Sequence, residues 1–240
     1  MTKTDDRGGV ALWRRIADDI RLDIVGGKLE RGAKLPSEAE LAERFSANRH
    51  TVRRALAVLA EEGVVRAEQG RGTFVDAARR LSYRIGRRTR FSEGLAGQTR
   101  GTQGFLLGST EEAASTGVAR ALSLRVGARL VRLETLTLAD GRPLSRGTSW
   151  FAKARFAGIA EAYGETGSIT RALSGFGVDD YVRQSTRISA RYASPEETRD
   201  LRLAPGSVLL VTEIVDADAE EQPIQYALTR FPAERMELVV

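Results

Sequence analysis

Residues 35–75 read LPSEAELAERFSANRHTVRRALAVLAEEGVVRAEQGRGTFV, and this stretch decides the fold of the N-terminal third. Ser37 followed three residues later by Glu40 is the sequence form of a capping box, in which the hydroxyl and the carboxylate satisfy the free N–H groups of a helix start. The helix it opens buries Leu41, Ala42 and Phe45. Ser46-Ala47-Asn48 is a short polar break, and Asn48 caps a further helix from about Arg49 to Glu62. Val52, Ala55, Leu56 and Leu59 give that helix its core face, and Gly63 stops it. Val64-Val65 and Thr73-Phe74-Val75 then read as two short strands around the turn Gly70-Arg71-Gly72. Upstream, Leu12, Ile16, Ile20 and Ile24 recur at four-residue steps as one amphipathic helix that Gly26-Gly27 ends.

Helix, short helix, tight turn, basic-tipped helix and hairpin make a winged helix-turn-helix. A recognition helix enters the DNA major groove N-terminus first, so groups at that end meet base edges and nearby cations meet phosphates. Arg49, His50, Thr51, Arg53 and Arg54 crowd that end. Pro36, Ser37 and Glu38 open the preceding helix beside it, and Gln69, Gly70, Arg71 and Gly72 form the wing tip. A basic helix face alone is ordinarily just solvated; the ordered set is what specifies double-stranded DNA as partner.

Composition narrows the rest. The 240 residues are 42% hydrophobic and 29% charged, with a formal net charge of +5, which fits a globular chain of two domains and permits a polyanionic partner. Residues 1–80 hold 16 basic against 13 acidic residues, so net charge does not locate the binding face. Cysteine is absent and His50 is the only histidine. That excludes disulfides, thiolate metal sites, histidine metal clusters and a Ser-His-Asp triad elsewhere, and no cofactor is expected. No apolar run approaches the ~18 residues that cross a bilayer, and MTKTDDRGG lacks the apolar core of a secretory leader. The chain is expected to stay in the cytoplasm, away from membranes.

Arg79, Arg80, Arg84, Arg87, Arg88 and Arg90 follow without an acidic residue among them. Residues 78–97 are expected to be an arginine-rich linker. At its end Ser92 reads as the N-cap of a helix through Leu95, so Arg90, Phe91 and Ser92 suit an anion, since helix N-termini offer unpaired N–H groups. Beyond it an internal repeat organises the chain. Leu122, Leu124, Gly127, Leu130 and Glu134 recur 79 residues later as Leu201, Leu203, Gly206, Leu209 and Glu213, and Pro143 and Phe151 recur 80 later as Pro223 and Phe231. Each copy reads as helix, glycine turn, strand, hairpin and strand, which predicts a pseudo-symmetric antiparallel sheet with helices packed on it. Residues 155–175 read as helical and Tyr181 to Tyr192 as another strand. The fold class is α+β.

The motifs LPSEAELAERF, NRHTVRRALAVLAEEG and EQGRGTFV resemble the DNA-binding module of the GntR family of regulators over nearly all of residues 10–76. The resemblance implies phosphate contact around Ser37 and Arg54, base contact by Arg49 and Arg53, and wing contact from Gln69 to Gly72. Many members carry arginine after the PSE element where this chain has Ala39, which implies a different operator sequence. The remainder resembles the UTRA effector domain of the HutC subfamily, a fold like that of chorismate lyase. NRHTVRRA, Arg90-Phe91-Ser92 and Gln184 to Arg191 carry a closer likeness to regulators of phosphonate utilisation. This implies a winged helix-turn-helix over 10–77, a linker over 78–97 and a UTRA domain over 98–240 that makes a homodimer. The implied pocket holds a small anionic effector: a phosphonate, phosphate ester or carboxylate. Its implied lining is Arg90, Phe91, Ser92, Thr135, Thr137, Arg187, Tyr226 and Arg230. Phosphosugar-responsive relatives place arginines where Thr135 and Thr137 stand, and threonine hydrogen-bonds an anion without neutralising it. Arg90, Arg187 or Arg230 are therefore expected to supply charge.

The expected activity is repression relieved by that effector. A sugar phosphate or an amino-acid breakdown product is the alternative ligand. A lyase-like enzyme is the alternative class, against which stand the single histidine inside the DNA module and the lack of an acid/base motif in the second domain.

Overall fold

The computed structural model describes residues 6–30, 32–76, 80–88, 90 and 94–240, with backbone only for 6–11 and 25. The chain divides into two compact units, residues 1–79 and 80–240.

In the first unit α1 (Asp6–Val25), α2 (Glu38–Arg44) and α3 (Arg49–Glu61) precede a hairpin of β1 (Val65–Glu68) and β2 (Gly72–Val75). The capping box forms: Glu40 N donates to Ser37 Oγ at 3.3 Å and Ser37 N donates to Glu40 Oε2 at 2.7 Å. Asn48 Oδ1 accepts from Thr51 N at 2.8 Å at the start of α3. Ile16, Ile20, Leu41, Val52, Leu59, Val65 and Val75 share one core, so helices and hairpin are a single packing unit. Burying a side chain such as Leu41 or Leu59 stabilises by about 1.5–3 kcal/mol. The hairpin pairs Val65 with Val75 and Glu68 with Gly72. Its turn needs left-handed backbone at Gly70 (φ 72°) and Gly72 (φ 116°), and a Cβ on Gly72 would lie 2.8 Å from Lys34 Cε.

The second unit is built on one antiparallel sheet of order β4-β5-β6-β9-β8-β7. Its strands are β4 (Thr102–Ala113), β5 (Arg129–Ala139), β6 (Arg142–Ala152), β7 (Val182–Tyr192), β8 (Val208–Ala217) and β9 (Pro223–Pro232). The helices are α4 (Thr116–Ala121), α5 (Lys153–Phe156), α6 (Ile159–Thr166), α7 (Ile169–Ser174) and α8 (Pro195–Asp200). The repeat is visible as geometry: β4, α4, β5 and β6 are answered by β7, α8, β8 and β9. Both copies cap their helix with serine, Ser115 on α4 and Ser194 on α8. The copies meet at the β6–β9 seam, which runs only from Arg146 opposite Arg230 to Trp150 opposite Tyr226. Between the copies α5–α7 fold over one face of the sheet, around Leu133, Phe151, Phe156, Tyr163 and Leu173. On the other face α4 packs with Leu130, Trp150 and Tyr226. Among the described residues no helix is long and apolar enough to cross a membrane.

The linker expectation for 78–97 needs correction. β3 (Leu81–Arg84) pairs in parallel with β10 (Met236–Val239), Leu81 opposite Met236. Tyr83 and Leu95 are buried in one cluster with Leu144, Phe231 and Met236. An apolar residue at every second position, Leu81, Tyr83 and Ile85, anchors this segment while Arg80, Arg84, Arg87 and Arg88 are exposed.

α6 and α7 approach β4 very closely at Gly104. A Cβ there would lie 2.2 Å from the Gly167 carbonyl oxygen and 2.6 Å from Tyr163 Oη. Gly104→Ala is therefore expected to lower stability by about 1–3 kcal/mol through overpacking. A denaturant melt superimposable on the wild type would contradict that approach.

Candidate functional site

Two places concentrate polar side chains that the fold does not require. The first is the tip of α3 with the wing. Arg49 and His50 are exposed at the helix N-terminus, while Thr51 is half-buried and spends its Oγ1 on Asn48 Oδ1 at 2.9 Å. Arg53, 65% exposed, donates Nε to Glu38 Oε2 at 2.8 Å. Arg54 lies over the Trp13 ring with Cζ 5.0 Å from its centroid, which fixes the guanidinium beside α1. At the wing, Arg71 pairs with Glu68 at 2.5 Å and lies 5.7 Å over the Phe74 ring, with Gln69, Gly70 and Gly72 exposed around it. Pro36 and Glu38 are half-buried and Ser37 exposed at the mouth of α2. The three predicted groups thus belong to one packed unit, with cations held by neighbouring acids and aromatic rings.

The second place is a cavity of about 390 Å³ between α6–α7 and the sheet. Successive residues of a strand face opposite sides, and the cavity takes the polar phase: Thr135 and Thr137 from β5, Ser145 and Ser149 from β6, Thr212 and Asp216 from β8, and Gln225 and Thr229 from β9. Gly147 leaves the space that Thr135 occupies, since a Cβ there would lie 2.5 Å from Thr135 Oγ1. Gln225 Nε2 donates to the buried Ser149 Oγ at 2.8 Å. Tyr163 and residues 167–171 close the cavity from the helices.

Three cations line it: Arg90, Arg171 and Arg183. Arg90 donates to the Tyr181 carbonyl at 2.8 Å and to Asp180 Oδ1 at 2.9 Å, and its Cζ sits 3.5 Å from the Tyr181 ring centroid. Arg183 donates both terminal nitrogens to Tyr83 Oη at 3.3 Å. Tyr181 Oη and Thr170 Oγ1 are 2.8 Å apart. Asp216, 3% exposed, is the one carboxylate in the cavity lining among the described residues, and its Oδ1 is 3.6 Å from Arg183 Nε. Burial pushes Asp216 up to about 6 against the pull of Arg183 and Arg90. Such a group of perturbed titratable and cationic side chains in a concave, hydroxyl-rich cavity has the chemistry to take up a small polar ligand.

Of the predicted lining, Arg90, Thr135 and Thr137 face this cavity, while Phe91 and Ser92 lie outside the described residues. Arg187, Tyr226 and Arg230 are corrections, because the structure sets them on the opposite face of the sheet. Tyr226 stacks on Trp150 with centroids 5.2 Å apart, and burial with the Glu213 carboxylate pushes its hydroxyl up to about 12. Arg187, 77% exposed, reaches Glu213 at 3.4 Å, and Arg230 pairs with Glu197 at 3.2 Å. Arg171, Arg183 and Asp216 take their place. The signal for Asp216 is its strand phase, four residues after Thr212 and so on the same face; Arg171, on a helix, carries no such signal.

Comparison with known proteins agrees with this division. The model of "Bacterial regulatory proteins, gntR family" matches residues 12–75 and that of the UTRA domain matches residues 98–237. An HTH-type transcriptional regulator of Rhizobium meliloti (strain 1021), RB1450, is 50% identical over 230 residues, covering 96% of this chain and 94% of its own. A protein described as "Probable transcriptional regulator PhnF" from Escherichia coli (strain K12) is 32% identical over 213 residues, covering 87% and 86%. The crystal structure of PhnF from Mycobacterium smegmatis superposes with a TM-score of 0.63 at 24% identity, covering 92% of this chain and 96% of that one; it shows the shared fold.

Proposed function

Because this chain belongs to the GntR family of bacterial regulatory proteins, with a UTRA domain in its second unit, it is a DNA-binding transcriptional regulator and not an enzyme, and we propose that it is a cytoplasmic, homodimeric repressor released from its operator by a small anionic effector. The reading head is residues 10–77. In the proposed complex Arg49, His50, Thr51 and Arg53 read base edges, Ser37 and Arg54 meet phosphates, and the wing from Gln69 to Gly72 lies against the backbone. Two copies bind the two halves of a pseudo-palindromic site.

The observation that carries the effector reading is the cavity in which Arg90, Arg171 and Arg183 face a wall of serine and threonine hydroxyls. Its ~390 Å³ lies in the range of small-molecule pockets. The arginines supply charge, and Thr135, Thr137, Ser145 and Thr212 supply directed hydrogen bonds to anionic oxygens. A phosphonate is the favoured anion, given the likeness to PhnF. The effector shifts DNA affinity only by binding one dimer geometry better than the other.

The test is DNA selection from a random library with the purified full chain, followed by anisotropy titration of the selected site. A steep fall in affinity with salt is expected, together with release by a millimolar phosphonate, phosphate ester or carboxylate. No sequence preference at low salt would overturn the DNA reading; selection without release by any such anion would overturn the effector reading.

A further inference from the structure

The cavity holds an oxygen that the fold leaves unserved. Asp216 Oδ1 is buried and has no hydrogen-bond partner among the described residues, and neither has Arg183 Nε, the nearest donor. Their 3.6 Å separation is an ion pair without a hydrogen bond. Arg183 cannot turn to serve it without giving up Tyr83 Oη, to which both terminal nitrogens donate. Asp216 lines the cavity near the end of β8, on the same strand face as Thr212 and Ile214. A buried acceptor without a donor is costly, and more so when charged.

A bare alkyl acid entering this cavity finds cations for its oxygens but sets an apolar tail and a second negative charge near Asp216. An acid that carries its own donor removes that deficit. Resting on the anionic-effector reading above, we propose that the effector is an amino- or hydroxy-substituted small acid, whose acidic group takes the arginines and whose N–H or O–H donates to Asp216. Asp216 is the residue that separates such ligands from their unsubstituted parents. The principle is that a site built to receive a hydrogen bond rejects the analogue that lacks it far more strongly than it rejects a change in apolar bulk.

Isothermal titration of the full chain with two triplets tests this: ethylphosphonate, 2-aminoethylphosphonate and 2-hydroxyethylphosphonate; and propionate, 3-aminopropionate and 3-hydroxypropionate. Within any triplet that binds, a substituted member is expected to bind at least about tenfold tighter than its parent. Asp216→Asn keeps an acceptor oxygen but no charge, so it is expected to retain a hydroxyl preference and to lose about tenfold or more from an amino preference. A parent binding as tightly as its derivatives overturns the proposal and leaves the anionic reading standing. Binding by no member overturns both. An unchanged ranking in Asp216→Asn, amino preference included, overturns the role of Asp216. If that variant does not fold, the wild-type ranking decides alone.

Discussion

Arg53→Ala is expected to abolish operator discrimination while leaving the domain folded. Each bidentate arginine–guanine contact is worth about 1–3 kcal/mol of discrimination, so a dimer that uses it in both half-sites loses about 2–6 kcal/mol. The side chain is 65% exposed, and its ion-pair partner is the half-buried Glu38. Exposed changes of this kind usually move stability by less than about 0.5 kcal/mol. Competition binding between the selected operator and scrambled DNA measures the effect, with a thermal melt as control. Wild-type discrimination by the folded variant would remove Arg53 from the reading surface. A uniform loss on all DNA, with the preference intact, would make it a phosphate contact instead.

The largest effect on stability is expected at Glu197. This 3% exposed carboxylate accepts two nitrogens of Arg191 at 2.6 and 2.7 Å and the backbone N–H of Ser194 at 2.9 Å, and it pairs with Arg230 Nε at 3.2 Å. Removing it by Glu197→Ala strips the cap of α8 and leaves the largely buried Arg230 without this counter-charge, a loss of about 3–5 kcal/mol. The Arg191 hydrogen bonds, reinforced by Ser194 and Arg230, hold the Glu197 carboxyl down at about 2. A carboxyl whose folded value lies below its unfolded one contributes stability that is fully present above about pH 4.5 and is lost as pH falls through about 2. With Arg191 half exposed to screening water, this contribution is about 2–3 kcal/mol. Urea melts at pH 7 and pH 3 are expected to show the wild type losing somewhat more than half of that increment and Glu197→Gln losing little of it. A Glu197→Ala variant within about 1 kcal/mol of wild type at pH 7 would contradict the assignment.

What could be read from the sequence follows from how local each interaction is. Ser37 with Glu40, and Asn48 with Thr51, act across three residues, so the helix starts of the reading head were legible as strings. The sheet was legible because it is written twice: Leu122 to Glu134 and Leu201 to Glu213 carry the same strand and turn pattern. β3 was hidden for the opposite reason. Its partner β10 lies some 150 residues away, and six arginines among residues 79–90 mask the alternation of Leu81, Tyr83 and Ile85. β4 escaped because it is an edge strand whose residues are largely exposed and carry little hydrophobic periodicity. In the cavity the limit was parity. Tyr226 stands between Gln225 and Ala227, both of which line the cavity, and a step of one residue on a strand exchanges inside for outside. A resemblance places a motif to within a residue or two, and that is not enough to say which side of a sheet a given side chain is on.

The short seam between β6 and β9 has a mechanical consequence. Every other junction in the sheet is a long ladder, whereas here two homologous halves are stitched over five residues a side, so the sheet twists and shears most easily along this line. The cavity floor straddles it: Thr135 and Ser145 belong to one half, Thr212 and Asp216 to the other. A molecule that contacts both sides would brace one half of the sheet against the other.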